Sequence, residues 1–155
     1  MKPYQIPTTL QTLGEDIQLD QLRYHRKRVG VIREFTFDAA HHLHAYEGKC
    51  KSLHGHTYRL VIHLSGRVDE IGIVVDFAEI KRIFKERIDA HLDHRYLNDV
   101  LPPMNTTAEN MIVWIWEQLQ DEITKLNIPE LRLEELTLYE TPTSRAYLKR
   151  EWMEE

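Results

Sequence analysis

The chain has 155 residues, of which 42% are hydrophobic, and this is enough to bury one core in a single domain. A formal net charge of −5 argues against nucleic acid as the main partner. No apolar run approaches the ~20 residues of a membrane span, and residues 1–5 lack the apolar core of a signal peptide. The single cysteine cannot form an internal disulfide, so we expect a soluble cytoplasmic protein.

The first 30 residues are predicted to form an N-terminal extension to one domain over residues 31–155. The extension is polar and carries a basic cluster at Arg23–Arg28. A short helix around Asp16–Arg28 is compatible with this composition, although few apolar residues would hold it. Arginines suit phosphate groups, but a charged run of this kind more often forms a solvated helix face.

Two strands are predicted near the start of the domain, at residues 31–39 and roughly 54–68, from the alternation of apolar and polar residues. If the alternation continues, His41 leaves from the apolar face of the first strand. His54 and His56 share the apolar face of the second. Because burying an unpaired imidazole is costly, histidines placed in this way require partners.

The rest of the domain is predicted to contain two helices and two more strands. Asp76 and Thr106 each begin a candidate capping box ahead of a helical apolar period. The predicted elements are helices from 76 to about 90 and from 106 to about 126, and strands at 131–140 and 145–152. This β-β-α-α-β-β order predicts an α+β fold with two helices on one face of an antiparallel sheet.

The sequence His54-Gly55-His56 is a candidate metal site. On a strand, residues two apart leave from the same face with backbones about 6 to 7 Å apart, so both imidazoles can reach one ion. Such pairs also occur without function, but His41 offers a third imidazole. His42 has the opposite parity, and His44 is expected in a loop. Three histidines with no fourth protein ligand would leave an open position, as in catalytic zinc sites.

Cys50 lies four residues before His54 and is the only cysteine. A lone cysteine is most often an inert buried residue. Here Lys49 and Lys51 flank it and a divalent cation would lie within reach, so a reactive thiolate is the preferred interpretation.

Two further groups have both a functional and a structural interpretation. Asp93-His94 is either a turn with a surface histidine or a carboxylate that orients an imidazole for proton transfer. Glu140, at the end of a buried strand face, is either an edge residue or a bidentate acceptor for paired N–H groups of a ligand.

Six ordered segments resemble the family of 6-pyruvoyltetrahydropterin synthases and 6-carboxytetrahydropterin synthases, and the likeness runs from residue 31 to about residue 149. The segments are Phe35-Thr36-Phe37-Asp38-Ala39-Ala40-His41, Cys50-Lys51-Ser52-Leu53-His54-Gly55-His56, Val75-Asp76-Phe77, Leu92-Asp93-His94-Arg95-Tyr96-Leu97-Asn98, Thr107-Ala108-Glu109-Asn110 and Tyr139-Glu140-Thr141. The extension of about 30 residues departs from the family, whose typical members begin near the first strand.

The resemblance implies a fold and a role for individual residues. The family has the tunnelling fold, or T-fold, in which three subunits join their sheets into a barrel and two trimers stack as a hexamer. Active sites form between subunits. The implied roles are Zn²⁺ ligation by His41, His54 and His56, catalysis by the base Cys50 with the relay pair Asp93 and His94, and pterin binding by Glu140 with Thr107 nearby.

The spacing between Cys50 and His54 points to a subgroup. Three intervening residues resemble the 6-carboxytetrahydropterin synthases of queuosine biosynthesis, whereas five would resemble the pyruvoyl-forming enzymes. Lys51 stands where a folate-pathway variant has glutamate. The implied activity is a carbon–carbon lyase that converts 7,8-dihydroneopterin triphosphate to 6-carboxy-5,6,7,8-tetrahydropterin, acetaldehyde and triphosphate. A pyruvoyltetrahydropterin synthase and a noncatalytic pterin- or zinc-binding protein remain the alternatives.

Overall fold

The computed structural model describes residue 3 and residues 15–155. Its centre is a five-stranded sheet in the order β3-β1-β2-β4-β5. The strands are β1 (Arg28–His41), β2 (His54–Arg67), β3 (Arg95–Tyr96), β4 (Arg132–Thr141) and β5 (Ser144–Lys149). All neighbours are antiparallel except the two-residue β3, which is parallel to β1. The predicted antiparallel sheet is therefore confirmed, with one short parallel strand added.

In the part of the chain that the structure describes, five α-helical segments connect and cover the strands. They are α1 (Phe77–Phe84), α2 (Ala90–Leu92), α3 (Leu97–Val100), α4 (Ala108–Lys125) and α5 (Arg150–Met153). A π-helical turn at Lys85–Asp89 joins α1 to α2. The Asp76 carboxylate caps α1 by accepting from Ala78 N–H at 2.8 Å. Glu79 does not complete the predicted capping box, because its carboxylate pairs with Arg82.

The helices lie on one face of the sheet, where α1 contacts β1 and α4 contacts β4 and β5. Inward residues of the strands meet the apolar stripes of both helices. The largest side chains with almost no exposed surface include Phe37, Tyr58, Leu60, Ile62, Phe84, Met111 and Ile115. Each such apolar side chain contributes about 1.5–3 kcal/mol by leaving water. This core fixes the face from which every residue of β1 and β2 projects.

Two predicted strand boundaries and one considered helix differ from the structure. β1 begins at Arg28, three residues before the predicted start, because its ladder with β2 runs back to the pair Arg28 and Arg67. The helix considered around residues 16–28 reduces to a 3₁₀ turn at Leu19–Gln21. Towards the C-terminus, the strand expected to reach residue 152 ends at Lys149 and continues as α5.

Most of the N-terminal extension, residues 1, 2 and 4–14, lies outside the described part of the chain. Its division from the domain at residue 30 stays a prediction. Within residues 15–155, none of the helices combines the length and the apolar character needed to traverse a bilayer.

Candidate metal centre and active site

Three histidines meet at the end of β1 and β2. The antiparallel register pairs His41 with His54 and Ala39 with His56, so all three imidazoles project from the helix-covered face. Their ring centroids are 4.6 Å apart for His41 and His54, 5.1 Å for His41 and His56, and 4.8 Å for His54 and His56. His42 projects elsewhere and bonds through Nδ1 to the Tyr96 hydroxyl. The structure thus brings together the three histidines that strand alternation placed on the apolar face.

Backbone carbonyls determine which ring nitrogen of His41 and His54 is unprotonated. His41 Nδ1 lies 2.9 Å from the Thr106 carbonyl oxygen, and His54 Nδ1 lies 2.7 Å from that of Ser52. A carbonyl can only accept, so in each neutral ring Nδ1 carries the proton and Nε2 presents a lone pair. The two Nε2 atoms nevertheless face each other at 3.1 Å.

The third ring adds another electron-rich nitrogen to the same space. His56 Nε2 is buried and makes no hydrogen bond among the described residues. Burial lowers the pKa of His56 and the charge of Glu140 opposes this shift, while a positive charge on His41 or His54 would lower the pKa further. Neutral imidazoles whose lone pairs converge are the donor set that Zn²⁺ requires. The residues therefore fit a zinc ion, which would satisfy all three nitrogens at once.

Glu140 at the end of β4 joins this cluster as a fourth group. Its Oε1 lies 3.0 Å from His56 Nε2 and 3.3 Å from His41 Nε2. The contact with His56 has the distance of a hydrogen bond but not its geometry, since His56 Nε2 has no bonded partner. In the form of His41 that carries a proton on Nε2, a hydrogen bond from this nitrogen lowers the pKa of Glu140, although burial opposes the shift. Sequence reasoning placed no carboxylate beside the candidate metal ligands, and Glu140 can serve there either as a fourth ligand or as an acceptor for a substrate.

Asp93 and His94 form a bonded pair in the turn after α2. His94 Nδ1 lies 2.8 Å from Asp93 Oδ2, and Asp93 Oδ1 accepts from the Asp38 backbone N–H at 2.9 Å. His94 has a left-handed backbone with φ of 57°, and its N–H donates to the Asp38 carbonyl at 2.6 Å. Such a conformation is costly away from glycine and persists where neighbouring bonds over-determine it. β1 therefore holds this turn in place.

The contact between Asp93 and His94 shifts the pKa of both residues. The Asp38 backbone N–H and the His94 ring lower the pKa of Asp93. Asp93 in turn raises the pKa of His94 by accepting its hydrogen bond. The arrangement is a carboxylate that orients an imidazole, as the functional interpretation of Asp93-His94 requires.

Cys50 is half-buried and lies in the 3₁₀ turn Lys49–Lys51 before β2. Its carbonyl accepts from Leu43 N–H at 2.8 Å, which ties the turn to the residues after β1. Within the described residues, no side-chain hydrogen bond links the thiol to Asp93 or His94. The cavity of about 570 Å³ that His94 lines includes His56 and Thr57 but not Cys50. A single chain thus does not bring the thiol and the relay pair into one cavity.

Thr107 and Thr106 divide two roles between them. The Thr107 hydroxyl caps α4 by accepting from Asn110 N–H at 3.2 Å, so its predicted proximity to a pterin stays a prediction. Thr106, predicted to begin the capping box, is not the N-cap: it is buried and presents both its carbonyl and its hydroxyl to His41. The role of Asp38, whose backbone binds Asp93 and His94, was also missed. No local sequence signal marks these residues, because their contacts come from segments distant in the chain.

A family model described as 6-pyruvoyl tetrahydropterin synthase matches residues 30–151. The chain is 40% identical over 96 residues to the 6-carboxy-5,6,7,8-tetrahydropterin synthase of Synechocystis, over 59% of this chain and 74% of that protein. It is 32% identical over 138 residues to the Haemophilus influenzae protein of the same name, over 74% of this chain and 94% of that one.

A solved structure gives the same relationship. The Caenorhabditis elegans 6-pyruvoyl tetrahydropterin synthase superposes with a TM-score of 0.71 at 28% identity, over 82% of this chain and 99% of that chain. The fold therefore agrees with the predicted T-fold. Since the family match covers most of the sequence and the fold agrees, this chain belongs to the 6-pyruvoyl tetrahydropterin synthase family.

Proposed function

We propose that this member of the family is a zinc-dependent 6-carboxy-5,6,7,8-tetrahydropterin synthase. The reaction would convert 7,8-dihydroneopterin triphosphate and one water molecule to 6-carboxytetrahydropterin, acetaldehyde and triphosphate, as a step of queuosine biosynthesis. The observation that carries the proposal is the convergence of three imidazole Nε2 atoms beside a carboxylate at the end of the sheet. The names of the Synechocystis and Haemophilus relatives and the three-residue spacing before His54 support the carboxy-forming outcome.

His41, His54 and His56 would hold the zinc ion. Thr106 and Ser52 would keep Nε2 of His41 and His54 directed at it through their carbonyls. A bound zinc ion supplies Lewis acidity towards the side-chain oxygens of the substrate.

Glu140 would bind the pterin ring. A cavity of about 450 Å³, a volume typical of small-molecule sites, is lined by Glu140, His56 and Arg59 among others. A carboxylate can accept from the 2-amino group and N3–H of the ring with its two oxygens. This would fix the ring so that the substrate side chain extends towards the histidines.

Cys50 would remove a proton from the substrate side chain, and His94 held by Asp93 would carry protons during cleavage. We propose that the thiol and the pair come from neighbouring copies. The His94 side chain is 77% exposed in one chain, which leaves it accessible to another subunit. β1 pairs with β3 only at Ala39 and Ala40, so most of its edge has no strand partner within the described residues. An open edge of this length favours a homo-oligomer, either trimer or hexamer.

The deciding experiment is to incubate the purified protein with 7,8-dihydroneopterin triphosphate and measure acetaldehyde and triphosphate. Both products are expected. Triphosphate without acetaldehyde would instead support a 6-pyruvoyltetrahydropterin synthase, a candidate that 34% identity to the Dictyostelium discoideum 6-pyruvoyl tetrahydrobiopterin synthase also favours. Neither product from zinc-loaded protein would refute both enzymatic assignments and leave a noncatalytic binding protein.

A further inference from the structure

Tyr58 is a fully buried residue whose hydroxyl has no partner. The residue has 0% of its surface exposed, and its oxygen makes no hydrogen bond among the described residues. Buried hydroxyls almost always find a partner, because an unpaired one loses its bonds to water without replacement. A phenylalanine would fill the same space at no such cost. Packing alone therefore does not explain the oxygen.

The position of Tyr58 places that oxygen at the candidate site. Its ring stacks on Phe37 at 5.0 Å and lies edge-on to His56 and His41 at 5.6 Å and 6.2 Å. The β2–β4 ladder ends with Arg59 opposite Tyr139, next to Tyr58 and Glu140 in the chain. Glu140 contacts the same two rings, at 3.0 Å from His56 Nε2 and 3.3 Å from His41 Nε2. The unpaired donor and the carboxylate thus both lie against His41 and His56.

The Glu140 carboxylate has room for another donor. Its contacts with His41 and His56 both use Oε1. A carboxylate can accept about four hydrogen bonds, so these contacts leave most of its capacity unused.

We infer that Tyr58 is a positioning residue of this site: its hydroxyl, unpaired in this structure, donates to the Glu140 carboxylate once a pterin ring is bound and holds that carboxylate towards the ring. The inference rests on the proposed role of Glu140. It assigns the buried oxygen to substrate orientation, since Tyr58 would act only through Glu140. The expected consequence is a change in ring affinity rather than in the chemical step.

The test uses pterin itself, whose fluorescence reports binding without turnover, and the zinc-loaded wild-type protein as reference. Tyr58→Phe removes only the hydroxyl oxygen. We expect it to weaken pterin binding about 10-fold or more, with zinc content and melting temperature retained. With 7,8-dihydroneopterin triphosphate, KM should rise by a similar factor while kcat changes less. The control is Tyr147→Phe, the same change at an exposed position of β5, which should leave pterin binding unaltered.

The double variant Tyr58→Phe/Glu140→Gln shows whether Tyr58 acts through Glu140. In the Glu140→Gln background, the second change should weaken pterin binding by less than about threefold, because the charged acceptor is already gone. Unchanged pterin binding by Tyr58→Phe would overturn the inference and leave the proposed function intact. Equal losses in both backgrounds would also overturn it, by showing that Tyr58 acts independently of Glu140. If wild-type protein neither bound pterin nor turned over substrate, the inference would fall with the proposed function.

Discussion

Glu140 can serve either the metal or the substrate, and replacing it by glutamine separates the two roles. Its Oε1 lies 3.0 Å and 3.3 Å from two of the candidate zinc ligands, and its side chain is 26% exposed, so the carboxylate can also reach a molecule in the adjacent cavity. Glutamine keeps the shape and one acceptor but removes the charge. A hydrogen bond to a charged group contributes about 1.5–3 kcal/mol, which corresponds to about 10- to 150-fold in Kd.

If Glu140 binds the ring, Glu140→Gln should weaken pterin binding by that factor while the protein keeps about one zinc per chain. Equilibrium dialysis of pterin and elemental analysis of zinc measure both quantities on the same sample. Glu117→Gln is the matched control, because Glu117 is an exposed carboxylate on α4 outside the cavity that Glu140 lines. Loss of zinc from Glu140→Gln at unchanged stability would refute the substrate role and make Glu140 a fourth metal ligand.

Four further predictions address the other proposed roles. His54→Ala should abolish zinc binding and turnover, and full zinc content in this variant would refute the three-histidine site. Cys50→Ala should keep zinc and pterin binding but lose about 10²–10⁴-fold in turnover, and near wild-type turnover would mean that the thiol is only packing. Asp93→Asn should lower the pKa of His94 in an NMR titration, because Asp93 raises it in the folded protein, and an unchanged value would contradict that cause. Mixed oligomers of Cys50→Ala and His94→Ala chains should recover activity that neither has alone, and no recovery would argue against sites shared between copies.

The direction of the His94 shift also sets a pH dependence. Its folded-state pKa is raised, so the stabilising contact with Asp93 is fully present below the ordinary histidine pKa. That contribution is lost as the pH rises through the higher folded-state value. Asp93 has a lowered pKa and contributes above its ordinary value, with the loss occurring as the pH falls through the folded value. The two pKa shifts together make the turn most stable at pH values between the pKa of Asp93 and the pKa of His94.

Strand periodicity was sufficient to predict that three histidines converge at the end of the sheet, while their binding of a metal stays a prediction. Alternation along β1 and β2 set the faces of His41, His54 and His56, and the observed register brings all three together. The same parity excluded His42, which instead contacts Tyr96. Periodicity succeeds here because the strands are long and one face is buried, so a one-residue slip would expose the whole apolar face.

The groups that orient these ligands could not be predicted in the same way. Thr106 reaches His41 across 65 positions of the chain, whereas the carbonyl of Ser52 reaches the ring of His54 from two residues away, in the loop that leads from the 3₁₀ turn into β2. Both contacts depend on where loops lie against the sheet, which periodicity does not specify. These carbonyls nevertheless select the tautomer with the proton on Nδ1. Without them the proton could equally lie on Nε2, which would then have no lone pair for a metal. The spacing of the histidines therefore predicts where the candidate metal site lies, whereas the packing of loops against the sheet determines which ring nitrogens are unprotonated and able to bind.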